Sequence, residues 1–503
     1  MRRRKFLEGS IATAAAGVCG IPRNAAGSAL IARTESGQPE QAPEPCSESR
    51  YRALNAILDR GAMERGWAKS VDPDYQHAPQ AAIEAFKDLK FGIRIHWGLY
   101  CMIGSHESWG LAGANQDFWR VYNVLYQFFN PVSFDADAWM ALFRRSGIRF
   151  FTFTTKHHDG FSMWPTKTTQ ESPFLTARAF ENGCEYTKTV SNNYSIMDSP
   201  YKKDIVGAVV QAARQHDVKV GLYYSHVDWH DPAFAWDPFH YQYDPKLTKE
   251  SDPARWQTFI DHEREQVREL MTQYGPIDVL DFDIGWPEAA AQDIAGVAKM
   301  VRGLQPNIIM RNRGIGAYGD YHTPEREIPA GNTKDLWKVI YPCGTSFSYI
   351  PSDEYHPAEW VLESLITVCA KGGNFEVGFG PMPSGAWASE AVERLEYVGD
   401  WLRVNGEAIY DTRPHSVLQE GDDIWFTSSK DGGTVYAISL KWPGTTFTVR
   451  SVRPRPGSSV QMLGVHQPLK WEERGDSVAV DIPADLAEHK PCKQAYVLKL
   501  QTT

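Results

Sequence analysis

Five short groups of residues in this chain carry the side chains best suited to chemistry: His96-Trp97-Gly98, Lys156-His157-His158-Asp159-Gly160, Tyr223-Tyr224-Ser225-His226, Asp281-Phe282-Asp283 and Asn312-Arg313. Carboxylates can attack carbon or carry protons, neutral imidazoles donate to and accept from hydroxyls, and arginine steadies negative charge. Asp281 and Asp283 lie two apart in an extended run, so their side chains share a face. One buried carboxylate is often a satisfied structural group. Two of them beside several histidines and an arginine describe a polar active centre.

Each group follows a short apolar run. Strands are expected at 91–95, 149–155, 219–224, 278–282, 307–311 and 374–379, and helices at 135–146, 203–216, 253–274 and 288–304. Asp135 and the Ser251-Asp252 pair supply capping residues. The connections are long enough for helical crossovers, so the strands should run parallel. No dinucleotide fingerprint supports an open doubly wound sheet. The expected fold class is α/β, a (β/α)8-like barrel over 51–413, whose catalytic groups would sit at the C-terminal strand ends. After Pro414 the runs at 424–428, 434–440, 446–452, 458–462, 477–482 and 495–500 are short and broken by Gly, Pro and Asp. They read as a small antiparallel β-sandwich over 414–503.

Composition narrows the partners. The 503 residues carry 52 basic and 62 acidic side chains, a net charge of −10, which argues against a nucleic-acid surface. Seventeen tryptophans suit either sugar stacking or a large core. The seven cysteines include no CxxC pair, so a structural zinc site is not expected and no disulfide pairing can be assigned. Arg2-Arg3-Arg4-Lys5-Phe6-Leu7 opens a weakly apolar stretch, the form of a twin-arginine export signal over 1–32. The stretch is shorter than the ~20 residues a membrane span needs. A Pro/Glu/Gln/Ser-rich linker follows at 33–50, and the expected location is outside the cytoplasm, periplasmic or extracellular.

Taken in order, these segments resemble glycoside hydrolase family 29, the α-L-fucosidases. Phe91-Gly92-Ile93-Arg94-Ile95-His96-Trp97-Gly98 resembles the family's FGIFIHWG, and Thr155 to Phe161 (TKHHDGF) its TAKHHDGF. YSIMDSPYKKD at 194–204, GLYYS at 221–225 with Asp228-Trp229, GPIDVL at 275–280 leading to Asp283-Ile284-Gly285-Trp286-Pro287, KGGN at 371–374 and Gly380-Pro381 are similar to further family segments. The resemblance covers roughly residues 80–410. It implies a retaining exo-glycosidase acting on a fucosylated oligosaccharide or glycan, without metal or other cofactor. By position it implies Asp283 as nucleophile and Glu325 as acid/base. It further implies His96, Trp109, His157, His158, Tyr224, Trp286 and Arg313 as substrate contacts.

Retaining hydrolysis uses two carboxyl groups ~5–5.5 Å apart, one attacking the anomeric carbon and the other serving as acid and then base. A strand gives Asp283 fixed geometry. Glu325 must begin protonated, so a raised pKa is expected. Four places depart from the family. Asp281 stands where Trp is common. Glu107-Ser108-Trp109-Gly110 replaces its Glu-Trp-Tyr segment. Arg94 and Arg326 replace aromatics. Either the two arginines face the pocket and select an anionic sugar, or they pair with local acids such as Asp281 and Asp320. Two rival readings stay open. One is a metal-dependent hydrolase using His157, His158, His226, Asp228, His230 and Asp231. The other is a sugar-binding protein without catalysis.

Overall fold

Beta-rich apolar runs between helical windows produce a parallel sheet, because each crossover helix returns the chain to the same edge. The structure is a computed structural model that describes residues 68–181, 184–283, 293–330 and 335–502. The expected export signal over 1–32, the expected linker over 33–50 and Trp286 lie outside the described residues. Strands β1 (Phe91–Ile95), β2 (Phe150–Lys156), β3 (Gln170–Glu181), β4 (Cys184–Asn192), β5 (Lys219–Ser225), β6 (Val279–Asp283), β7 (Ile309–Met310), β8 (Lys338–Pro342) and β9 (Asn374–Phe379) precede the C-terminal region. Seven of them form one curled sheet in the order β7-β6-β5-β2-β1-β9-β8, with all pairs parallel.

The sheet edges, β7 and β8, are spanned by an extended segment. Arg311 bridges to Tyr321, His322 to Trp337 and Glu325 to Ile340, all in parallel sense. Residues 321–325 therefore occupy the missing stave, held by isolated bridges rather than a full ladder. This is the barrel-like architecture expected, with β8 and the bridging segment as the parts the apolar-run pattern did not reveal. Segment 321–325 is polar, and β8 begins with a lysine that turns out to be internal.

Helices α1 (Gln80–Lys87), α2 (Gln116–Tyr122), α3 (Ala136–Arg145), α4 (Ile205–Gln215), α5 (Pro253–Gln273), α6 (Ile294–Leu304), α7 (Ala358–Ala370) and α8 (Ser389–Asn405) accompany the sheet. The Asp135, Asp204 and Asp252 carboxylates cap α3, α4 and α5 by accepting from backbone N–H groups. Strand alternation sorts the barrel's two faces. Ile93, Phe151, Leu222, Leu280, Met310, Val339 and Phe375 join the main apolar core. The residues between them face inward, and this interior is charged. Arg94, Asp281, Lys338 and Glu376 are fully buried, with contacts of 2.5 Å (Arg94–Asp281), 3.3 Å (Arg94–Glu376), 3.0 Å (Lys338–Asp281) and 3.1 Å (Lys338–Glu376). The Tyr321 hydroxyl also donates to Asp281.

The β3–β4 pair is an antiparallel hairpin, with Glu181 opposite Cys184. Its sequence signal, Asn182-Gly183 between strand-like runs, was available and is a recognised hairpin marker. After α8, eight strands build two antiparallel sheets: β10 (Thr412–Glu420), β11 (Ile424–Ser429), β12 (Thr434–Ser439), β13 (Thr446–Val449), β14 (Val460–Met462), β15 (Trp471–Arg474), β16 (Ser477–Asp481) and β17 (Tyr496–Gln501). The orders are β10-β11-β12-β17-β14 and β13-β16-β15. Phe426, Ala437 and Leu498 from one sheet share a buried cluster with Phe447, Val449 and Val480 from the other, the facing arrangement of a sandwich. β10 is mostly half-buried, β15 is mostly exposed, and both are polar, so apolar runs did not mark them.

Candidate active site

Asp281 and Asp283 share a face of β6 but not an environment. Asp281 is fully buried within the ion network, whereas Asp283, one step nearer the strand's C-terminal end, keeps 8% exposure. Burial alone would raise the Asp283 pKa. Arg313, Arg311 and the Tyr223 hydroxyl outweigh it and hold the carboxyl well below the ordinary carboxylate range. Tyr223 donates to Oδ2 at 2.7 Å, and Arg313 Nη1 donates to Oδ1 at 3.1 Å.

The same Arg313 nitrogen donates to Glu325 Oε2 at 2.7 Å. The two carboxylate oxygens therefore stand no farther apart than contacts of 3.1 and 2.7 Å laid end to end. That close approach is compatible with the ~5–5.5 Å between carboxyl groups that retaining glycosidases use. The Glu325 side chain keeps 31% exposure. Its pKa runs against expectation. Burial pushes it up, but Arg313 overrides that and leaves it lowered.

Three imidazoles line the approach. His96 and His157 rings lie 5.3 Å apart and His157 and His158 4.0 Å apart. Burial pushes His96 and His157 well below the usual histidine value and His158 to about 4, so all three are neutral near pH 7. Ser108 Oγ pairs with His157 Nδ1 at 2.7 Å, and Ser225 Oγ with His158 Nδ1 at 2.6 Å, which leaves the opposite ring edges for a ligand. Gly160, with φ +79°, makes the turn after this strand, where a Cβ would collide with the Asp228 carboxylate. Trp109 is half-buried, edge-on to His158 at 4.9 Å.

Several expectations need correction. Tyr224 is not a cleft residue. Alternation along β5 sends it to the outer face, where its hydroxyl donates to Gln266 of α5 at 2.9 Å. Tyr223 takes the cleft position. Arg94 does not face the pocket either, because it is locked to Asp281 and Glu376 inside the barrel. Arg326 is exposed and donates to the Thr345 carbonyl rather than to an acid, with its guanidinium 5.3 Å above the Phe347 ring. The proposed metal ligands are dispersed among other partners. Asp228 pairs with Lys156 at 3.0 Å, His226 with Glu263, and His230 stacks on Tyr194. Among the described residues no group of three or more such side chains is placed to hold a metal.

Sequence reasoning missed Arg311, whose Nη1 is 3.6 Å from Asp283 Oδ1, and the role of Glu107. Glu107 is buried and its Oε1 accepts from Ser346 Oγ, Phe347 N and Ser348 N at 2.7, 2.7 and 3.0 Å. That pins the loop after β8 so that Phe347 lies against His96, ring centroids 5.3 Å apart. Both were legible only as residue types, since their partners come from distant parts of the chain.

A barrel that gathers two carboxylates on one arginine at its mouth, beside neutral imidazoles, has the polar centre of a glycoside hydrolase. Comparison with known proteins narrows the class. The Alpha-L-fucosidase family model matches residues 67–407, and that of the Alpha-L-fucosidase C-terminal domain matches residues 419–501. The chain belongs to the alpha-L-fucosidase family. Plasma alpha-L-fucosidase of Rattus norvegicus is 28% identical over 492 residues, covering 90% of this chain and 96% of the relative. Alpha-L-fucosidase isoenzyme 1 from Paenibacillus thiaminolyticus superposes with a TM-score of 0.70 at 25% identity, covering 84% of this chain and 99% of its own. A Bacteroides thetaiotaomicron GH29 enzyme, trapped as a covalent intermediate with 2-fluoro-fucosyl fluoride, shares the fold at 21% identity. Its TM-score is 0.70, with 86% and 99% of the two chains covered.

Proposed function

We propose that this glycoside hydrolase removes terminal α-L-fucose from oligosaccharides or glycans with retention, through a glycosyl ester on Asp283. Asp283 attacks the anomeric carbon while Glu325 gives its proton to the leaving oxygen. Glu325 then takes a proton from water as that water displaces Asp283. His96, His157, His158 and Trp109 hold the sugar, and Arg313 steadies both carboxylates. The observation that carries this reading is the single Arg313 nitrogen bonded to both Asp283 and Glu325. With Arg94 consumed inside the barrel, a plain terminal fucoside fits better than a sulfated one. The deciding experiment is trapping with 2-deoxy-2-fluoro-fucosyl fluoride followed by peptide mass spectrometry. A fucosyl adduct on Asp283 supports the assignment, and one on any other residue refutes it.

The metal-dependent rival predicts loss of activity with a chelator and recovery with zinc. The present reading predicts neither. The basic, weakly apolar first 32 residues support export, and among the described residues no helix is long and apolar enough to cross a membrane. Fusion of residues 1–50 to a reporter, with and without the Arg2-Arg3-Arg4 cluster replaced by lysines, tests a twin-arginine route.

A further inference from the structure

Arg311 is a fully buried cation with an unusual set of neighbours. It follows β7 and points into the barrel between the Asp281 and Asp283 levels, and its backbone N–H donates to Leu280 O. None of its guanidinium nitrogens has a hydrogen-bond partner among the described residues. Its one ion-pair contact among them is Asp283, Nη1 to Oδ1 at 3.6 Å. Arginine does not shed its proton in proteins, so this charge must be balanced by something nearby.

The other charges around it are already matched. Asp281 holds Arg94 and Lys338 and accepts from Tyr321. Glu376 holds Arg94 and Lys338 as well. Arg313 keeps Glu325 even without Asp283. When Asp283 becomes a glycosyl ester, its negative charge is gone, and Arg311 alone loses its closest counter-ion. In the second half-reaction water bonds to the anomeric carbon and gives its proton to Glu325. The carbon–oxygen bond to Asp283 then breaks, with its electron pair returning to the carboxylate beside Arg311.

We propose that Arg311 is a positioning residue for the second half of the reaction: a buried cation whose one ion-pair contact among the described residues is Asp283, so that it disfavours the glycosyl-enzyme and draws charge back onto Asp283 as the ester breaks. This rests on the reading of Asp283 as nucleophile. Arg311 works against the first step for the same reason that it favours the second, so its removal should separate the two.

The test compares wild type, Arg311→Met and Arg311→Lys on an activated aryl fucoside, with intact-protein mass spectrometry of the quenched steady state. In Arg311→Met, kcat should fall by roughly tenfold or more and KM at least as much, with kcat/KM unchanged or raised. The fraction of enzyme carrying a fucosyl mass should rise. Arg311→Lys, which keeps a cation, should regain most of kcat. A fall in kcat/KM matching that in kcat, with no accumulated fucosyl-enzyme in either variant, would overturn the proposal. If the wild type takes its fluorosugar label elsewhere than Asp283, the nucleophile assignment and this proposal fall together. A normal label with no kcat–KM split removes the role of Arg311 alone.

Discussion

Asp281 and Asp283 point to the same side of one strand, two residues apart, yet the first is sealed in a salt-bridge network and the second reaches the cleft. Depth along the barrel, not side-chain type, separates a structural carboxylate from a reactive one. The two should respond differently to mutation. Asp283→Gly should abolish fucoside hydrolysis and, because it leaves buried Arg311 without its ion-pair contact, should also lower the melting temperature, though less than loss of Asp281, since Asp283 keeps contact with the cleft. Asp281→Asn should cost about 3–5 kcal/mol of stability, because Arg94 and Lys338 are left with one uncompensated buried charge. Parallel thermal denaturation and rate measurements check this. Equal losses of stability in both variants would contradict the division.

Glu325→Ala should be selective for the leaving group. Substrates with acidic phenol leaving groups need little proton assistance and should lose less in kcat/KM than natural glycosides, which should lose about 10²–10⁴-fold. Azide, which needs no general base, should restore turnover on the activated substrate and yield a fucosyl azide. A uniform loss across leaving groups would place the acid elsewhere.

The pH profile follows from Arg313. The lowered Glu325 pKa means the proton-bearing form is abundant only in acid, so kcat/KM should fall as pH rises through that pKa. Asp283, held lower still, remains ionised there. Arg313→Met removes the cation that depresses Glu325 and should move the falling limb to higher pH, at a reduced maximal rate. Both carboxylates are depressed in the folded state, so their stabilisation is present above their unfolded pKa values and is lost on acidification. A limb unmoved in Arg313→Met would mean that another group titrates.

Adjacent tyrosines offer a paired control. Tyr223→Phe deletes the donor to Asp283 Oδ2 and should lower kcat by about tenfold to a hundredfold. Tyr224→Phe deletes a bond to Gln266 on the outer face and should cost about 1 kcal/mol of stability, with kcat nearly intact. Kinetics and urea unfolding of the two variants decide whether alternation along β5 has been read correctly.

Local pattern carried much of this protein. The β1 and β9 ranges, the caps of α3 and α5 and the placement of His96, His157, His158, Asp283 and Arg313 at strand ends were legible, because period-two apolar runs and capping residues act over a few positions. What depended on partners far along the chain was not. Tyr224 rather than Tyr223 was expected in the cleft, since only the facing helix α5 fixes which side of β5 is outward. Arg94 looked available to a ligand until β6 and β9 supplied Asp281 and Glu376. The stave at 321–325 is too polar to announce itself and exists because β7 and β8 offer unpaired backbone on both sides. Residue types and short spacings determined the family and the chemistry it needs. Closing the barrel decided which carboxylate is sealed, which arginine joins the two acids, and which buried arginine leans on Asp283, because those are distances between segments that local sequence does not encode.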